Sequence, residues 1–161
     1  MFFREYFDVS EPRQRYTVSS PLPGRQMPVE DVMLVQHYLN KIFEKNGGFP
    51  DRAPLMVDGH WGPRTASWVL AYQKWHKKAG DLIAVDGKVS PAIGSSPVSI
   101  RPNVESGQTP HGLWYTIIWM GWDYFVTTGE TDVARDESAP PLLRAHARGA
   151  RAADDPTVVS L

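Results

Sequence analysis

The chain has 161 residues, 17 of them basic and 18 acidic, with a formal net charge of -1 and no cysteine. A chain of this length holds one ordinary domain, or one small domain with extensions, rather than two independent cores. The balanced charge supplies no global field for nucleic acid or anionic lipid, and the lack of cysteine excludes disulfides, thiol catalysis and thiolate metal sites.

In chain order, residues 1–28 carry Pro12, Pro21, Pro23 and Pro28, a Ser19-Ser20 pair and the aromatics Phe2, Phe3, Tyr6, Phe7 and Tyr16. This composition predicts an extended N-terminal arm whose rings need somewhere to bury. Arg4, Glu5 and Asp8 interrupt the apolar stretch a secretory signal requires, so export by that route is not expected. Between Pro28 and Asn46, Val32, Val35, Leu39 and Ile42 recur every three or four residues, which predicts a helix with one apolar side. Glu30 and Asp31 suit its positive end, and Asn46-Gly47-Gly48 supplies a stop.

A tight turn at Asp58-Gly59 and the pair Gly62-Pro63 then predict a second helix from about Pro63 to Lys78, with Trp68, Tyr72 and Trp75 near one face. Val85-Asp86-Gly87 repeats Val57-Asp58-Gly59, with a proline four residues after each glycine. A third helix opening at Pro91 would be very short, because Gly94 and Pro97 follow. Residues 95–110, rich in Ser, Pro and Gly, read as a linker. The segment 113–126 is apolar on nearly every side; its length favours a helix, and its aromatic and β-branched content leaves a strand open. It is too short to span a bilayer and contains Asp123. Within 129–161, only 145–153 has the composition of a marginal helix, one that cannot fold alone.

Residues 31–93 resemble the peptidoglycan-binding domain family, a small three-helix module. Val32, Val35-Gln36 and Leu39 match the pattern of its first helix. Asp58, Gly59, Trp61, Gly62 and Thr65, followed by Val69, Tyr72 and Gln73, match its central signature, and Asp86 and Gly87 match its second turn. Ser90 and Ile93 depart from the pattern where glycine and threonine are usual, and Trp68 stands where a small residue is usual. The resemblance implies a three-helix module at 29–94, and with the composition and periodicity of the rest it gives a mainly α chain: an arm at 1–28, that module, a linker at 95–110, an apolar docking helix at 111–128 and a tail at 129–161. It further implies a non-catalytic module, with peptidoglycan as a possible ligand, in an envelope-contacting assembly such as a phage tail, contractile injection or secretion apparatus.

Aromatic stacking on a glycan and polar contacts to peptide stems would then fall to Trp68, Trp75, Arg64, Gln73 and Lys74. Trp114, Ile118, Trp119, Trp122 and Phe125 are the expected partner-docking residues, because a small monomer would struggle to cover an all-round apolar helix. His37, His60, His76, His111 and His146 show no metal-ligand spacing, and no nucleophile elbow or phosphate loop is present, so neither enzyme activity nor a cofactor is expected. A purely structural subunit that reuses the fold without glycan affinity is the alternative.

Overall fold

The computed structural model describes residues 1–7, 12–92 and 115–154. The chain is mainly helical, as the sequence predicts. Strands β1 (Phe2–Phe7) and β2 (Pro12–Thr17) precede helices α1 (Val29–Lys45), α2 (Pro63–Lys78) and α3 (Thr116–Thr128); a 3-10 turn at Val133–Arg135 and helix α4 (Pro141–Asp154) follow.

Local chemistry sets the helix ends. Pro28 precedes α1, Glu30 and Asp31 occupy its first turn, and Lys45 its last. Asn46 closes it, donating to the Ile42 carbonyl from its backbone N–H at 3.0 Å and from its side-chain amide at 2.9 Å. Pro63 opens α2 directly after Gly62, and Lys77 and Lys78 end it. Gly129, at φ 76°, terminates α3 in the left-handed conformation and donates to the Phe125 carbonyl at 2.7 Å.

Helix α1 is the axis of the molecule. Every residue from Asp31 to Leu39 is buried, not the single side that the apolar period predicts. A helix is buried all round only when neighbours cover several faces, and here α2, α3 and α4 all pack against it.

One continuous core runs from Tyr16, Val18 and Leu22 through Val32, Leu39, Trp68 and Tyr72 to Ile117, Met120, Leu143 and Ala147. The expected division into arm, module, docking helix and tail therefore does not describe how the chain packs. The arm is an antiparallel hairpin, with Phe2 opposite Thr17 and Phe7 opposite Pro12, and β1 lies against α4. The burial of Phe2, Phe3, Tyr6 and Phe7, the linker at 95–110, His111 and Trp114 all lie outside the described residues. The expected tail instead supplies α4, whose Leu143 and Ala147 are fully buried. Pro91 and Ala92 are not helical, and the rest of the expected third helix lies outside the described residues. The chain at 89–92 is extended, Val89 pairing with Leu22 through two backbone hydrogen bonds of 2.8 and 2.7 Å, and the Ala92 N–H donates to Thr17 Oγ1 at 2.8 Å.

A buried polar knot ties the first and last parts together. The Tyr16 hydroxyl donates to Asp132 Oδ1 at 2.6 Å and to the Ala147 carbonyl at 3.2 Å, while Arg151 pairs with Asp132 Oδ2. Burial, with the adjacent Asp132 carboxylate, pushes the Tyr16 phenol far above its ordinary range, so it stays a donor. Tyr16→Phe is expected to lower the unfolding free energy by about 2 kcal/mol, because a hydrogen bond to a charged group is lost. Urea denaturation monitored by circular dichroism measures it.

Candidate functional site

Two glutamines organise the region of the predicted signature, and they do so in the same way. Gln36 of α1 takes the Gly59 N–H on Oε1 at 3.0 Å, and its Nε2 faces Asp58 Oδ1, the His60 carbonyl and Thr65 Oγ1 at 3.1, 3.0 and 3.2 Å. Gln73 of α2 takes the Asp86 and Gly87 N–H groups on Oε1 at 3.1 and 2.8 Å; its Nε2 faces Asp86 Oδ1, the Lys88 carbonyl and Thr116 Oγ1 at 3.2, 2.9 and 3.0 Å. In each turn the aspartate also accepts the N–H two residues on, from His60 and from Lys88, both at 2.9 Å. Helix glutamine, Asp-Gly turn and helix-opening threonine thus form one device used twice. The second threonine is Thr116, at the start of α3, rather than a residue near Ile93.

The two glycines differ in their surroundings. Gly59 sits at φ 76°, and a Cβ there would lie 2.4 Å from Val29 Cγ1 and 2.9 Å from the Val29 carbonyl oxygen; Gly87 sits at φ 70° with open space around it. Gly87→Ala is expected to cost about 1 kcal/mol from the left-handed backbone alone, and Gly59→Ala at least about 2 kcal/mol because contact is added to strain. Thermal unfolding of the two variants in parallel measures the difference.

The predicted ligand residues do not share one face. Trp68 is 1% exposed. Its indole stacks on Phe49 at 5.7 Å, meets Phe43 edge-on at 5.5 Å and donates to Asp51 Oδ2 at 3.0 Å. Gln73 is fully buried and its amide is committed to the second turn. Both are therefore withdrawn from any ligand. Arg64 clamps the 51–54 loop through a fork to Asp51, at 2.7 Å from Nε and 2.5 Å from Nη2, and lies over the Trp68 ring. Hydrogen bonds from Arg64 and Trp68 hold the Asp51 carboxyl well below the usual carboxylate range. Of the five, Arg64, Lys74 and Trp75 are exposed, Trp75 being 39% exposed, and of these Lys74 and Trp75 are not bound to the 51–54 loop. Trp61 of the signature is half-buried against the core.

The predicted docking helix is a core helix. Ile118 is buried beside Ile117, Met120 and Tyr124, and α3 packs along α1 and β2. Trp119, Trp122 and Phe125 are half-buried. Trp119 donates from Nε1 to the Leu82 carbonyl at 3.2 Å, and the Trp122 and Phe125 rings lie 6.3 Å apart. The faces thought to need a foreign partner are covered in large part by the chain itself.

Sequence reasoning missed two histidine–aspartate–tyrosine groups. His37 Nε2 lies 2.9 Å from Asp136 Oδ2, which also accepts from the Tyr124 hydroxyl at 2.6 Å. Burial lowers the proton affinity of His37 more than Asp136 raises it, so the ring is neutral and Nε2–H is the donor. Burial opposes ionisation of Asp136, but hydrogen bonds from Ser138, Tyr124 and His37 outweigh it and hold the carboxyl below the ordinary range. His76 Nε2 lies 2.6 Å from Asp123 Oδ2, which accepts from the Tyr72 hydroxyl at 2.6 Å, and His76 Nδ1 lies 2.6 Å from Asp81.

Neither group has the geometry of a nucleophile and its base. The Ser138 hydroxyl donates to Asp136 rather than to His37, and the hydroxyls beside both histidines are phenols held protonated by burial. Among the described residues no three His, Asp or Glu side chains are placed to hold a metal ion, and no helix is long and apolar enough to cross a membrane. A cleft of about 330 Å³ between the ends of α1 and α3 is lined by Lys41, Lys45 and Arg135 together with Glu44, Glu130, Asp136 and Glu137, so neither sign of charge dominates it. No family model, no curated protein and no solved structure matches this chain.

Proposed function

We propose that this chain is a non-catalytic, peptidoglycan-binding-like component of a larger envelope-contacting assembly, such as a phage tail, a contractile injection apparatus or a secretion complex. The observation that carries the reading is the doubled glutamine, Asp-Gly and threonine device: the residues on which the resemblance rests, Gln36 with Asp58, Gly59 and Thr65, act together in space. The binding face in this reading is the outer side of α2, where Trp75 offers a ring to a sugar and Lys74 a charge to stem carboxylates.

A second reading, a scaffold subunit without glycan affinity, draws support from Trp68 and Gln73. Both are consumed by the chain's own packing, which leaves a small candidate face.

Sedimentation with purified peptidoglycan sacculi separates the two. The wall-binding reading expects retention of the parent chain and its loss in a Lys74→Ala, Trp75→Ala variant with unchanged circular dichroism. A folded parent that stays in the supernatant leaves the scaffold reading.

A further inference from the structure

Both ring nitrogens of His76 face carboxylates, Nδ1 at 2.6 Å from Asp81 Oδ2 and Nε2 at 2.6 Å from Asp123 Oδ2. A neutral imidazole has one N–H and one lone pair, so it satisfies one of these carboxylates and repels the other; the imidazolium donates to both. The ring is 5% exposed and walled by aromatic rings, with centroids of Tyr72 and Trp119 each at 4.7 Å and Trp75 at 5.0 Å. Tyr72 and Trp75 belong to α2, Asp81 to the turn after it, and Asp123 and Trp119 to α3. The imidazole therefore joins two helices at a point where no apolar residue could satisfy the carboxylates.

We propose that His76 works as a pH-operated latch between α2 and α3: its protonated ring bridges Asp81 and Asp123, and loss of the proton loosens the seam beside Trp75 and Trp119. This does not depend on the wall-binding reading. Burial on its own favours the neutral ring, but the hydrogen bonds and negative charges of Asp123 and Asp81 outweigh it, so the folded chain holds this proton more tightly than free imidazole does. The stability supplied by the latch is complete below about pH 6.5, the ordinary histidine value, and is lost as pH rises through the raised value of the folded state. His37, with one carboxylate and a lowered proton affinity, has the opposite sign and acts on the acid side.

Nitrogen-15 NMR of the full chain tests the latch directly. Both His76 nitrogens are expected to carry protons in most of the population at pH 6.5, where free imidazole is half titrated, with a titration midpoint above about 6.5. The unfolding equilibrium constant is expected to rise by up to about tenfold for each pH unit between 6.5 and that midpoint. Hydrogen exchange at Trp119 Nε1–H, which bonds the Leu82 carbonyl, is expected to accelerate above the midpoint beyond its intrinsic base catalysis. Asp81 is partly exposed, so Asp81→Asn keeps a foldable chain while removing one charge; its midpoint is expected to fall and its alkaline stability loss to shrink. A midpoint at or below about 6.5 overturns the proposal from the parent chain alone. So does Trp119 exchange that follows base catalysis alone in the parent.

Discussion

Trp68→Ala is expected to lose about 3–5 kcal/mol of stability, enough to unfold much of the population of a marginally stable domain. The indole is almost fully enclosed, packs against Phe43 and Phe49, and donates to Asp51. Its removal leaves a cavity, takes one of two donors from Asp51 Oδ2, which keeps Arg64 Nε, and strips the Arg64 side chain of its aromatic platform. Trp75→Ala removes a ring that is 39% exposed and makes only peripheral contacts with Tyr72 and His76, so its expected cost is about 1 kcal/mol or less. Equilibrium unfolding in guanidinium chloride, followed by circular dichroism, reads both. Two tryptophans seven residues apart on one helix thus have unrelated roles, and a loss of ligand retention in a Trp68 variant would report unfolding rather than a lost contact.

Gln73→Leu is expected to cost about 3 kcal/mol despite its similar volume, because leucine can neither accept the Asp86 and Gly87 N–H groups nor donate to Asp86, Lys88 and Thr116. The loss should be local as well as global. Amide hydrogen exchange is expected to speed up first at Gly87 and Lys88 and at the start of α3, while the Gly59 turn, held by Gln36, keeps its protection. Equal loosening of both turns would show that the two knots are one cooperative unit.

Helices α1 and α2 were legible because their signals are local. Pro28 and Pro63 mark the starts, Asn46 and Gly80 the ends, and the apolar spacing between them has the helical period. The repeated Asp-Gly turn was also visible. Its physical partners were not, since Gln36 and Gln73 lie at different distances from their turns and Thr116 comes from beyond 93–114.

The same distance hid from the sequence how much of the apolar helix the chain covers by itself. An apolar helix looks unpartnered when the residues that cover it, in α1 and β2, are far away in sequence. Helix α4 looked marginal because so short a helix does not stand alone even when built of good helix formers such as alanine and arginine; burial of Leu143 and Ala147 supplies the packing it needs. Trp68, which stands where the resemblance has a small residue, is buried because loop residues Phe49 and Asp51 fold over it. The half-buried Asp123 and Asp136 and the buried Asp132 carry no sequence signal, since each is matched to a tyrosine and a cation or histidine from another element.

The tie from Tyr16 to Asp132 and Ala147 spans 116 and 131 residues, which bears on how the chain is made. A ribosome adding about 5–20 residues each second leaves the hairpin waiting on the order of ten seconds before α4 can emerge to receive it. Over that interval the strand edge and the Tyr16 ring lack their final cover, and a pairing between two nascent copies has the same hydrogen-bond chemistry on offer. Yield of the natively folded chain should therefore fall at high expression rates and recover when synthesis is slowed enough that neighbouring chains seldom meet half-made.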